Sequence, residues 1–308
     1  MKKVLLVGNG QRGKTLSKFL IDQDFDTLDT LNDADFSEIS EINLLDYSEM
    51  IIATGEKAKL NYIELALSNS INVLVEKPLL FDEKVLNSWQ VRANKKGLLI
   101  RTAYAHRFES HIEAARKILN EYKLGNIYTI NGFYGNGTAE NIKSSKWRDS
   151  KYAVIIDLVP HLLNLMHFFL GPTEIRNLSL VSKSFENNGS DYCVLSGEAN
   201  NIFFEFVVTY LSWKNRFNIE ISGSNAQLIL SGLEKWGNSD LTTYIRKHPP
   251  SVPSQLNFEN TSSDNHLLKQ WLSFKEDILK SKPTNFESDL EISRVLKTLL
   301  GDDIFAKN

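Results

Sequence analysis

The chain has 308 residues, 42% hydrophobic and 24% charged, enough apolar material for two ordinary cores. A formal net charge of -3, with no Lys/Arg-rich run interleaved with aromatics, excludes a nucleic-acid groove. The one cysteine, Cys193, excludes an internal disulfide and a thiolate cluster, and no metal site is expected; the apolar run after Lys2-Lys3 stops at Gly8, short of a signal core or membrane span, so the chain reads as cytoplasmic.

From residue 3 to about 103, short apolar runs alternate with helical patterns, the signature of a parallel sheet with crossover helices. Strands are expected at residues 3–7, 25–31, 50–53, 72–75 and 98–102. Helices are expected from Lys14, over 61–68 and over 82–95, the last opening on Asp82 in a capping position. Between the second and third strands the spacing is tight, and 36–42 is the only helical candidate there. From Asn126 the texture turns to longer Val, Ile, Phe, Tyr and Thr runs broken by Asn-Gly and Ser-Gly pairs, which predict antiparallel strands at 126–134, 175–183, 191–198, 201–210, 216–222 and 226–231. Ala199-Asn200 marks a tight connection between two of them. Helices are expected at 155–169, 265–281 and 289–300, and the proline-rich residues 247–253 form either a surface connection or a lid.

Two strand ends carry the chemistry of the first half. Gly8-Asn9-Gly10-Gln11-Arg12-Gly13 follows one strand and opens a helix, the context in which a GxGxxG turn brings backbone amides and a helix N-terminus to a dinucleotide pyrophosphate. Glu76-Lys77-Pro78 follows a later strand, so Lys77 sits at the carboxyl edge of the sheet, where open parallel folds bind ligands. Pro78 restricts Lys77 to an extended backbone and permits a cis peptide. A surface lysine in a strand-ending turn has the same local pattern.

In the second half, Asp157 and His161 stand four apart near the start of a helix, with Pro160 placed in its first turn. A carboxylate beside an imidazole suits a general base. A helix cap and a packed histidine would look the same. Tyr104, His106 and Arg107 lie where the chain leaves one domain for the other, and Trp147-Arg148 pairs an aromatic face with a cation suited to sugar hydroxyls or phosphates. An interdomain salt bridge with an anchoring aromatic fits these residues equally.

In order and spacing, the glycine turn, Val73-Leu74-Val75-Glu76-Lys77-Pro78-Leu79, Tyr104-Ala105-His106-Arg107-Phe108, Trp147-Arg148 and Asp157-Leu158-Val159-Pro160-His161 resemble the Gfo/Idh/MocA oxidoreductase family. The resemblance implies an α/β Rossmann domain, a doubly wound parallel sheet over 1–103, followed over 104–308 by a substrate-binding and oligomerisation domain with an open, mainly antiparallel sheet and C-terminal helices. It implies NAD as cofactor, with NADP the alternative, held by Gly8, Gly10, Gln11, Arg12, Gly13, Asp33, Thr54, Glu76 and Lys77. Lys77 would lie near nicotinamide and substrate, His161 would be the acid/base, and Asp157 would position the substrate. Tyr104, His106, Arg107, Trp147, Arg148 and Tyr152 would line the pocket for a sugar-like or polyol substrate, nucleotide-linked sugars included.

Three departures stand out. Lys151-Tyr152-Ala153 replaces a glycine-rich stretch before the Asp-x-x-x-His helix, Thr54-Gly55-Glu56 replaces a Thr-Pro, and Lys59 stands at a histidine position. The ribose-binding acid falls on Asp33, with Asp29 and Asp35 as competitors. A broad one-faced sheet is an association liability, so a homodimer or homotetramer joined through the C-terminal sheet is expected, and the composition predicts no nucleic-acid or membrane partner. Two other functions fit the same residues: transient use of bound NAD for elimination or glycoside cleavage, and a dinucleotide-binding sensor without turnover.

Overall fold

The computed structural model describes residues 3–22, 28–31, 39, 42–121, 123–145, 148–260 and 265–305. The chain divides into two compact units, residues 1–105 with 266–308, and residues 106–265.

The first unit is built on five parallel strands, β1 (Lys3–Val7), β2 (Leu28–Leu31), β3 (Tyr47–Ile52), β4 (Asn72–Glu76) and β5 (Ile100–Ala103), in the order β2-β1-β3-β4-β5. Val4 to Val7 and Met50 to Ile52 are buried continuously rather than alternately, as strands covered on both faces by helices require. Helices α1 (Gln11–Asp22), α2 (Glu56–Ser68) and α3 (Glu83–Lys95) connect the strands, and the Asp82 carboxylate accepts the Lys84 amide at 2.9 Å to cap α3 as expected. The order reverses between β1 and β3, so the crevice beyond their carboxyl ends is the switch point at which such sheets take ligands. The helical candidate at 36–42 lies, apart from Ile39 and Ile42, outside the described residues.

The closing helices α7 (His266–Leu279) and α8 (Glu287–Leu300) belong to this first unit, not to the second domain as the sequence led us to expect. The reason is a sheet edge in need of cover. Thr284 donates its hydroxyl to Leu98 O at 2.9 Å and accepts the Ile100 amide at 2.8 Å, satisfying backbone groups beside the edge strand β5. Trp271 and Phe274 of α7 join the core with Val4, Leu6 and Leu99, and Phe286 joins the opposite core with Trp89.

The second unit holds an eight-stranded sheet in the order β13-β12-β11-β10-β6-β9-β8-β7, antiparallel except for the central β6–β9 pair. Its strands are β6 (Ile127–Gly135), β7 (Ile175–Lys183), β8 (Tyr192–Ala199), β9 (Ile202–Thr209), β10 (Arg216–Gly223), β11 (Ala226–Ser231), β12 (Ser239–Ile245) and β13 (Ser254–Asn260). Asn200 and Asn201, with φ of 51° and 66°, make the two-residue turn between β8 and β9. The proline-rich residues 247–253 link β12 to β13 as a surface connection. One face of the sheet is covered by α4 (Ser110–Asn120) and α6 (Ala153–Leu170), while α5 (Ala139–Lys143) is a short turn between them.

Helix α6 is long and apolar enough to cross a membrane by length and composition, but 67% of it is buried, as the core helix of this unit. It begins two residues earlier than the hydrophobic spacing implied, which places Pro160 inside it rather than in its first turn. Pro160 offers no amide to the Ile156 carbonyl. The helix runs on because its buried face is held against β6, β8 and β9.

Candidate functional site

In the first unit the glycine turn is demanded by packing at two of its three glycines. Gly8 takes φ +106°, and a Cβ there would lie 2.4 Å from Ala53 O; a Cβ on Gly13 would lie 1.8 Å from Gly8 O. Gly10 is different: a Cβ would meet nothing within 4 Å, so its smallness leaves the turn open to an approaching group. The Lys14 amide bonds Gly10 O at 2.9 Å, which leaves the amides of Gln11, Arg12 and Gly13 as the first-turn donors of α1. Thr54 faces this turn, its Cγ2 3.3 Å from the position of a Gly8 Cβ.

Arg12 Nε donates to Glu76 Oε1 at 2.6 Å, tying the glycine turn to the Glu-Lys-Pro segment. The Lys77–Pro78 peptide is cis. Lys59, 1% exposed, sends its ammonium to Pro78 O and to Glu56 Oε1, both at 2.6 Å. Burial pushes the Glu56 carboxyl up, while the charges of Lys59 and then Lys77 pull it down, so Lys77 acts on the same carboxylate. The lysine at the unexpected position thus anchors the turn that carries Lys77.

Of the candidate ribose acids, Asp29 is committed elsewhere: it accepts the Tyr47 hydroxyl at 2.7 Å and the Lys3 ammonium at 3.2 Å, and that hydroxyl chiefly holds its carboxyl below the usual range. Asp33 and Asp35 lie outside the described residues. Tyr104 follows β5, buried, with its backbone amide 3.2 Å from the Gln270 side-chain oxygen.

In the second unit α6 presents Asp157 and His161 one turn apart. Tyr210 donates to Asp157 Oδ2 at 3.1 Å, and its hydroxyl is equally close to Ala153 O. Burial, then the Asp157 charge, raise the Tyr210 hydroxyl far above its ordinary value, so it remains a donor; the guanidinium of Arg148 acts on it in the opposite sense. The His161 ring lies 4.8 Å from that of His106 and 5.6 Å from that of Tyr134, centre to centre. His106 Nδ1 is 2.6 Å from Glu109 Oε1, its Nε2 is 3.3 Å from the Tyr134 hydroxyl, and Lys235 Nζ donates to that hydroxyl at 2.8 Å. Trp236 packs edge-on against Tyr134.

The start of α6 is buttressed by the β7–β8 loop. The Asp149 carboxylate accepts the Gly189 amide at 2.8 Å, which holds it below the usual carboxylate range, and the Val154 amide bonds Ser190 O at 3.0 Å. A Cβ on Gly189 would lie 1.7 Å from Ser150 O. Lys151 stacks its ammonium 4.7 Å from the Tyr152 ring.

His106, Asp157 and His161 therefore gather around one polar patch of the second unit, with Arg148 acting on Tyr210 beside them. Arg107 is turned to another task, donating to Asn164 Oδ1 at 2.6 Å and packing over Phe168. Trp147 lies outside the described residues. Sequence reasoning missed Tyr210, Tyr134 and Lys235, each brought in by sheet or turn pairing over a long separation, and Glu109, which stands only three residues beyond His106.

Glu109, His111 and Glu234 place one ligand atom each within 4.8 Å of one another. Both carboxylates already accept backbone amides, Glu109 from Glu234 and Glu234 from Ser110, at 3.1 Å each. We read them as a hydrogen-bonded strut between α4 and the turn after β11. Buried Cys193 sits in β8 with its thiol pushed up to about 12 by burial, in keeping with a structural role.

Residues 112–229 match the GFO/IDH/MocA C-terminal domain. Over 127 residues, 41% of this chain and 38% of the relative, the chain is 24% identical to trans-1,2-dihydrobenzene-1,2-diol dehydrogenase of Sus scrofa, so the match spans well under half of that protein. An inositol dehydrogenase homolog from Azotobacter vinelandii, solved with NADH and myo-inositol, superposes with a TM-score of 0.76 at 17% identity, over 98% of this chain and 95% of that one. UDP-N-acetylglucosamine 3-dehydrogenase from Acidithiobacillus ferrooxidans gives 0.76 at 14% identity, over 99% and 98%.

Proposed function

We propose, from the premise that the chain belongs to the Gfo/Idh/MocA family, that it is an NAD-dependent oxidoreductase acting on a CH-OH group of a sugar-like or polyol substrate. The observation that carries this reading is the glycine turn at the switch point, tied through Arg12 to the segment that bears Lys77. The fit to a dinucleotide rests on Gly10, whose open side admits a pyrophosphate to the first-turn amides of α1.

When bound, the nicotinamide accepts or supplies the hydride. The protein's own residues handle position and the proton. Lys77, on the Lys59-anchored turn, stabilises the developing alkoxide, and a neutral His161 takes the hydroxyl proton. Asp157, held by Tyr210, fixes a substrate hydroxyl. In reduction, His161 returns the proton. Tyr104, His106, Trp147, Arg148 and Tyr152 are our candidates for the pocket wall, while the engagement of Arg107 with Asn164 favours a structural part for it.

The open face of the second unit's sheet carries Val181, Val194, Val207 and Phe133 in register across four strands, a row suited to a second copy of the chain in a homodimer or homotetramer. Light scattering tests this, and a monomer would refute it. The chemistry is tested by titrating purified protein with NAD, NADP and their reduced forms by fluorescence, then measuring turnover on a panel of polyols and nucleotide sugars. Lys77→Met and His161→Ala should keep dinucleotide binding and lose most turnover. If no dinucleotide binds, the reading fails.

A further inference from the structure

We propose that Glu109 is a positioning residue for turnover, acting through a hydrogen-bond chain of fixed polarity, Lys235 to Tyr134 to His106 to Glu109, that holds the His106 ring neutral against His161. The functional part of this inference rests on the hydride-transfer reading above, in which His161 is the acid/base.

The polarity follows from what each end can do. Lys235 Nζ has only donors, so at 2.8 Å it makes the Tyr134 oxygen an acceptor and turns the phenolic proton towards His106 Nε2, 3.3 Å away. At the other end the Glu109 carboxylate is buried completely and accepts at both oxygens, from the Glu234 amide at 3.1 Å and from His106 Nδ1 at 2.6 Å. An ionised carboxylate only accepts, so Nδ1 carries the ring proton and Nε2 accepts from Tyr134. The Glu109 carboxylate, which His111 Nδ1 also faces at 3.9 Å, by itself favours an imidazolium; the Lys235 ammonium opposes it, because a proton on Nε2 would point at the Tyr134 oxygen that already receives that ammonium.

This matters because the His161 ring sits 4.8 Å from that of His106. A cationic neighbour would oppose protonation of His161, whereas a neutral ring backed by a buried carboxylate leaves it able to take a proton. The chain also fixes the ring plane against which His161 packs. Every member comes from a different turn or strand of the second unit: the 3-10 turn after β5 for His106, the start of α4 for Glu109, β6 for Tyr134 and the turn after β11 for Lys235.

The test has one readout that needs no activity and one that does. Imidazole nitrogen NMR of the wild-type protein, with His106→Gln to assign the ring, should show His106 as the neutral Nδ1–H tautomer; an imidazolium or an Nε2–H ring would overturn the proposal. Glu109→Gln places an amide where Oε2 receives the Glu234 N–H, so the ring loses its fixed tautomer. Its kcat should fall about tenfold or more, with dinucleotide affinity unchanged within about twofold. Tyr134→Phe keeps the ring volume, removes the link to Nε2 and should lower kcat in the same way. If both variants turn over within about twofold of wild type, the positioning role is refuted. Failure of the wild type to turn over any substrate while binding dinucleotide would instead refute the hydride-transfer reading, leaving the tautomer result to stand or fall alone.

Discussion

Replacing Lys59 by methionine isolates what the buried lysine does for the turn that carries Lys77. Methionine fills most of the space but removes the ammonium that joins Glu56 Oε1 and Pro78 O, each at 2.6 Å. Breaking one side of a buried ion pair costs about 3–5 kcal/mol, and the partial exposure of Glu56 places the loss near about 3 kcal/mol. That corresponds to a fall in Tm of about 6–12 °C, at about 2–4 °C per kcal/mol for a unit of this size. The pH dependence has a definite sign. Burial raises the folded-state pKa of Glu56, so its contribution to stability is greatest below the unfolded value of about 4.3 and is lost as pH rises through the folded value. Losing Lys59 removes the largest opposing influence and raises the folded value further. The penalty of Lys59→Met should therefore be full near pH 8 and shrink towards pH 4, as measured by thermal unfolding across that range. Adding Glu56→Gln should abolish the pH dependence and recover most of the stability. A penalty equal at pH 4 and pH 8, or no recovery in the double variant, would show that Glu56 and Lys59 are not coupled as drawn.

The glycine turn separates two roles by substitution: Gly13→Ala, whose Cβ would collide with Gly8 O, should lower Tm by several degrees, whereas Gly10→Ala should leave Tm unchanged or stabilise by about 0.4–1 kcal/mol while weakening dinucleotide affinity in a fluorescence titration. Tyr210→Phe takes the hydroxyl from Asp157 and should lower kcat/KM about 10–150-fold, the equivalent of roughly 1.5–3 kcal/mol for a hydrogen bond to a charged group, with dinucleotide binding intact. Tyr47→Phe should cost about 1 kcal/mol near pH 7, since Asp29 is partly exposed. That cost should vanish at both extremes in urea titrations: Asp29, with its pKa lowered, contributes above the unfolded value of about 3.9 and loses its contribution as pH falls, while Tyr47, pushed up to about 12, contributes below about 10 and loses it as pH climbs towards 12.

The parts of the fold legible in the sequence were those with a local signal. The parallel strands of the first unit announce themselves as continuous apolar runs, and Asp82 announces α3 by its capping position. The closing helices were legible as helices but not as members of the first unit, because their allegiance depends on Thr284 meeting Leu98 and Ile100, a contact across more than 180 positions. Strands β12 and β13 escaped for a different reason: Thr, Asn and Gln stand among their apolar residues and blur the alternation that marks a strand.

The same division runs through the site and has a physical origin. The residues proposed to meet a ligand sit in a strand-ending turn or one helical turn apart in α6, where glycine, proline and charge leave a short-range pattern, so the glycine turn, Lys77, Asp157 and His161 could be read directly. Residues that hold those side chains in place do so through tertiary contacts between elements distant in sequence: Tyr210 reaches Asp157 across 53 positions, Lys235 reaches Tyr134 across 101, and Arg12 reaches Glu76 across 64. Each of these bonds ends on a charged group or on a hydroxyl polarised by one, so each is worth more than a neutral hydrogen bond and fixes direction as well as distance. Substitution at a ligand-facing residue should therefore affect binding or turnover while leaving the unit folded. Substitution at a holding residue should move both together, and the ratio of the two effects distinguishes the classes without any knowledge of the substrate.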